Sequence, residues 1–159
     1  MDTSEKDKLK HLFGNFIAID ELNSKNIEEN GSFKSIYFVL ILLKEENTQS
    51  IKSNAKNIIE LAQRHQGMIE TISATFISIL FNVPVEQKNS EELYCEFIKS
   101  LSIISGNKLS VVYGQCESYV GTIGSSERMS YTALIPNFKD KLYQLSSLEF
   151  GHIKEIKYT

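Results

Sequence analysis

Residues 33–43, FKSIYFVLILL, constrain this chain more than any other stretch. The run is aromatic, β-branched and almost continuously apolar, yet far short of the roughly 18 residues a membrane-spanning helix needs. It then breaks abruptly into KEENTQS. A segment of this kind is stable in water as a central strand covered on both faces. The covering layers must come from the rest of a 159-residue chain, a length that fits one domain with an adequate core.

Those layers are legible on either side. Thr3 or Ser4 followed by EKDKLKHLF predicts a capped helix, with Leu9, Leu12, Phe13 and Phe16 at helical spacing. The polar stretch NSKNIEENGS (23–32) then leads into the strand, so 1–32 is an N-terminal helix and lead-in loop of a single domain covering 1–159. Residues 50–64 carry Ile51, Ala55, Ile58, Ile59 and Ala62 on one helical face, and Gly67 marks the stop. Residues 68–81 alternate as a hairpin turning near Ser73 and Ala74, and 82–90 form a loop with Pro84. A helix over 91–105 presents Leu93, Phe97, Ile98, Leu101 and Ile104 before Gly106. Then come a strand over 109–120 kinked at Gly114, a turn over 121–126, a strand over 129–135, a short helix over 136–145 with Pro136 in its first turn, and a last strand within 153–158. Helices packed on one face of a mainly antiparallel sheet satisfy this order, which makes the class an α+β sandwich.

Charge and composition narrow the function. A net charge of −3 gives no basic face for a nucleic-acid backbone. The polar start MDTSEKDKLK lacks a signal core and no apolar run is long enough to cross a membrane, so the segment is expected to be cytoplasmic, alone or within a larger membrane-bound sensor. Cys95 and Cys116 have neither zinc nor redox spacing and are expected to be buried free thiols. His11, His65 and His152 are too scattered for a metal site.

The most specific punctuation lies in VGTIGSSERMSYT. It resembles the G-x-IGS-x-x-R-x-x-YT segment of class III adenylate and guanylate cyclases, on Gly121, Ile123, Gly124, Ser125, Arg128, Tyr131 and Thr132. Glu117, the Phe13-Gly14 pair with Phe16, and Gly67 with Phe81 and Pro84 match more loosely. The resemblance implies a ferredoxin-like sandwich working as a head-to-tail dimer with sites at the interface. It also implies two Asp carboxylates holding Mg or Mn, which activate the attacking 3′-oxygen and neutralise the triphosphate. An Asn would orient the ribose, and an Arg would stabilise the leaving phosphates.

This chain departs from that set at every position. The first metal Asp falls on Leu42 or an apolar neighbour, and the second on Ala74 or Thr75 according to register. Pro136 stands at the purine-contacting Asp, Lys139 at the ribose Asn and Tyr143 at the transition-state Arg. Glu45 and Glu46 replace the turn that wraps the phosphates, where two anions would repel a triphosphate. Glu70 coincides with a purine-selecting position in one register. The expectation is a degenerate cyclase-like domain with no catalytic residues and no metal or other cofactor, acting as a dimerising or regulatory module. Its partner would be a second copy or a related cyclase domain. An active or partner-complemented cyclase, and a nucleotide-binding sensor without turnover, are the alternatives.

Overall fold

The computed structural model describes residues 31–124 and 129–157. The expected N-terminal helix, and Ser125 and Arg128 of the motif, lie outside the described residues. Along the described chain the order is β1 (Ser32–Leu43), α1 (Thr48–Arg64), β2 (Met68–Ile72), β3 (Phe76–Phe81), α2 (Ser90–Ser105), β4 (Leu109–Gly124), β5 (Met129–Leu134), α3 (Phe138–Ser147) and β6 (Ile153–Ile156).

The sheet runs β2-β3-β1-β4-β5, with β6 added in parallel to β4 and every other pairing antiparallel. β1 is central, as its unbroken apolar run requires. Alternation along it sends Ile36, Phe38 and Leu40 into one core and Val39, Ile41 and Leu43 into another. α1 and α2 cover the second core with Ile58, Leu61, Ala62, Tyr94, Phe97 and Leu101. These two long helices share a face, while the short α3 lies on the opposite side and places Leu145 in the first core. Each fully buried Leu, Ile or Phe contributes roughly 1.5–3 kcal/mol, so the sheet is held by its two faces more than by its ladder.

Several boundaries differ from the sequence reading, each for a local reason. α1 begins at Thr48 because the Asn47 side chain accepts a 2.9 Å hydrogen bond from Ser50 N. Its left-handed stop is Gln66 (φ 60°) rather than Gly67. β4 is not kinked at Gly114, since the ladder with β1 continues through Phe38 opposite Gly114. A Cβ at Gly114 would run into the Ile156 carbonyl and lie 2.9 Å from Phe38 Cζ, so the glycine is what lets β6 come alongside. Gly121 is strand rather than turn: it pairs with Thr132, and β4 continues to Gly124. α3 starts at Phe138 after Asn137 in the left-handed region (φ 54°), which leaves Pro136 ahead of the helix. Cys116 is buried, but Cys95 is exposed on α2.

β2 and β5, the outer strands of the main path, approach each other because the sheet curls. Glu70 on β2 ties them: its Oε2 accepts from Thr132 Oγ1 at 2.8 Å and from Ala133 N at 2.9 Å, and its Oε1 accepts from Ser78 Oγ at 2.9 Å. A strand edge that would otherwise expose an unpaired N–H is thereby closed by a side chain.

Candidate functional site

A cleft forms at the end of β1. Leu42 pairs with Phe76 on one side and Ser110 on the other, and Leu43 N donates to the Thr75 carbonyl at 2.8 Å. The β2–β3 turn carrying Ala74 and Thr75 is thereby pinned beside the strand end. Ser73 shapes that turn, since its N donates to the Phe76 carbonyl and its Oγ accepts from Phe76 N. α3 then crosses the same end, enclosing an open cleft of about 370 Å³ lined by Leu42, Phe76, Lys139, Leu142, Tyr143, Leu145 and Ser146.

Three of the substituted positions, Leu42, Lys139 and Tyr143, therefore line one cleft, and Ala74 and Thr75 lie in the turn beside it. Pro136 lies outside the lining, at the base of α3, where its carbonyl accepts from Lys141 Nζ. Of the retained motif, Tyr131 is buried in the first core, Gly121 and Thr132 pair across β4 and β5, Gly124 pairs with Met129, and Ile123 is exposed. Glu45 and Glu46 are exposed beyond the end of β1. Glu70 sits away from the cleft lining, with both carboxylate oxygens already accepting from the sheet.

The sequence reading missed Lys141. It is almost fully buried, with Nζ donating to Pro136 O and lying 5.6 Å from the centre of the Phe38 ring. Burial holds its pKa below the usual lysine value, while Cys116 and Asp140 push it back up. The signal was available: Phe138, Lys141 and Leu145 fall on one helical face, so an inward helix must carry the lysine inward too. Burial also drives the neighbouring Cys116 thiol up to about 11, with Lys141 acting to lower it. Ser110, across from Leu42, has a buried hydroxyl with no partner among the described residues.

No protein-family model and no curated protein matches the sequence. The structure is similar to the guanylyl cyclase Cya2 (16% identity, 77% of this chain and 75% of that one, TM-score 0.57). It is also similar to the adenylyl cyclase CyaB from P. aeruginosa (14%, 77% and 76%, 0.60). A third is the guanylate cyclase domain of RhGC from Catenaria anguillulae, solved in complex with GTP (8%, 77% and 78%, 0.61). The chain has the fold of a nucleotide cyclase catalytic domain.

The sequence resemblance implies a divalent metal, and the side chains at the end of β1 do not fit one. Hard cations take clusters of oxygen ligands led by carboxylates. Here the side chains are those of Leu42, Leu43, Ala74 and Thr75, and the Thr75 carbonyl is engaged by Leu43 N. Among the described residues no three His, Cys, Asp or Glu side chains group as a metal site. Chemically, the cleft offers apolar contact from Leu42, Phe76, Leu142 and Leu145, with Lys139 the one cationic side chain in its lining. No helix among the described residues is long and apolar enough to cross a membrane.

Proposed function

We propose that this cyclase-fold domain makes no cyclic nucleotide and acts as a dimerising, regulatory signalling module. The observation that carries the reading is the chemistry gathered at the end of β1: a leucine, a phenylalanine and a tyrosine line the cleft where the resemblance calls for metal-binding and transition-state groups. Cyclisation needs the 3′-oxygen deprotonated and a triphosphate neutralised, and this lining holds one lysine toward both tasks. We take 1–159 as one unit, working in the cytoplasm without metal or nucleic acid, paired with a second copy or with a related cyclase domain. One similar structure is described as a non-canonical dimeric guanylyl cyclase domain and another, of the same protein, as monomeric, so pairing is consistent with the fold and is the part of the reading to be measured. Purified protein incubated with ATP or GTP and either Mg²⁺ or Mn²⁺ is expected to yield no cyclic product above a protein-free control. Sustained cyclic-nucleotide formation by the homodimer refutes the reading.

A second reading is nucleotide binding without turnover, and Lys139 beside Tyr143 favours it because a cation and an aromatic ring together suit an anionic ligand with a planar base. Calorimetry with ATP, GTP and their cyclic products separates the two: saturable heat without product supports the sensor.

A further inference from the structure

α3 turns one face inward and a neighbouring face to the cleft. Phe138, Lys141 and Leu145 go toward the first core, whereas Lys139, Leu142, Tyr143 and Ser146, spaced three and four apart, line the cleft. Leu42 and Phe76, a cross-strand pair, line it from the sheet. Both are only half-buried, so apolar surface is left in the cleft after they pack on the core.

The polar groups left free in this lining are few, and they sit together. Ser146 Oγ donates to the Tyr143 carbonyl at 3.0 Å, so its proton is committed. Lys139 Nζ and the Tyr143 hydroxyl have no hydrogen bond or ion pair among the described residues, and Tyr143 is 70% exposed. As i, i+4 neighbours on α3, the ammonium and the phenol offer two adjacent donors, and the lining residues include no carboxylate. A carboxylate takes one donor on each oxygen, and a single negative charge matches a single lysine. The remaining wall is hydrocarbon, and about 370 Å³ lies near the lower end of the range for small-molecule sites. A nucleoside triphosphate fits worse. It brings several charges, ribose hydroxyls and ring nitrogens to one ammonium and one phenol, and polar groups buried without partners cost affinity. Glu45 and Glu46, exposed just beyond the strand end, repel an anion in proportion to its charge.

We propose that the cleft binds an aliphatic monocarboxylate, with the carboxylate held by Lys139 and Tyr143 and the chain laid on Leu42, Phe76, Leu142 and Leu145. The inference rests on the non-catalytic reading of this cleft and gives that module an input. A ligand seated there bridges α3 to the end of β1, so its binding stabilises the helix on the sheet.

The test titrates octanoate into the ¹⁵N-labelled full chain and follows amide shifts by NMR. Saturable shifts are expected at Leu42, Phe76, Leu142 and Tyr143. Hexanoate is expected to bind about tenfold more weakly, through the loss of two buried methylenes. Octanol, which lacks the charge, and octanoate on Lys139→Met are each expected to lose about tenfold as well; Lys139 is exposed, so the variant keeps the fold. Octanol binding as tightly as octanoate, or an unchanged affinity in Lys139→Met, overturns the carboxylate assignment. Shifts confined to other surfaces, or no saturation, overturn the site, and ATP binding more tightly than octanoate at these residues overturns it in favour of a nucleotide. The same preparation is assayed for cyclic product from ATP with Mn²⁺. Product formation overturns the non-catalytic reading beneath the proposal, whereas missing octanoate shifts without product overturn the ligand alone.

Discussion

Replacing Glu70 with alanine tests whether this carboxylate is a structural tie. Its two oxygens accept three hydrogen bonds, from Ser78, Thr132 and Ala133 N, at 2.8–2.9 Å. Hydrogen bonds to a charged group contribute roughly 1.5–3 kcal/mol each, but the site is half-buried and the freed donors regain water. A net loss of about 2–3 kcal/mol follows, concentrated on the Ala133 N–H at the β5 edge. Glu70→Gln supplies the control. Its carbonyl oxygen can keep Thr132 and Ala133 N, and its amide can donate to the Ser78 hydroxyl, so its loss is below about 1 kcal/mol. In urea titrations, with slopes of roughly 1–3 kcal/mol per molar, the alanine midpoint falls by about 1 M or more and the glutamine midpoint by less than half of that. An alanine variant with a wild-type midpoint, or equal losses in the two variants, refutes the tie.

Ser110→Ala is expected to stabilise the domain by about 1 kcal/mol, raising Tm by about 2–4 °C in calorimetry, because the hydroxyl it removes is buried without a partner among the described residues. Cys116 makes the fold sensitive to alkali. Burial raises its folded pKa to about 11, so its stabilising contribution is complete below the unfolded thiol value and lost as pH rises to about 11. Lys141 acts with the opposite sign, its lowered pKa favouring the fold as pH rises toward the unfolded lysine value. Comparing wild type with Cys116→Ala isolates the thiol: denaturant titrations from pH 8 to 11 should cost the wild type up to about 3 kcal/mol more than the variant.

Elements with a strong period were legible in the sequence, and couplings across the sheet were not. The run at 33–43 declared a doubly covered strand, and the stripe through Ile58 and Ala62 declared the covered face of α1, because burial on a known period is a local property of sequence. Gly114 misled for the converse reason. A glycine inside a strand signals either a bend or a close neighbour, and the neighbour here, Ile156, lies more than forty residues on. Glu70 is the same case in side-chain form, since its partners Thr132 and Ala133 lie across the curl of the sheet. Ile104 fits the helical stripe of α2 yet is exposed, while Tyr94, which the stripe omits, is packed between Tyr37, Phe81 and Tyr113.

The site was half legible for a physical reason of its own. Sequence places Leu42 about a hundred residues from Lys139 and Tyr143, and only the crossing of α3 over the end of β1 makes them one lining. What that crossing rests on is apolar: Leu145 enters the first core, and Leu42, Phe76 and Phe138 pack against the same core. Two metal-holding carboxylates at the same strand end would sit against this packing and would need cations to offset their mutual repulsion and desolvation. Leucine at position 42 removes that cost and lets α3 close directly onto the sheet. On the proposed reading, then, the residues that forgo catalysis are the ones that let a short helix, entered through a left-handed Asn137 and carrying a buried lysine, hold its place on a single inward leucine and its apolar flank. A cleft shaped this way is part of the fold's support, and adding charge at Leu42 acts on stability before it can act on chemistry.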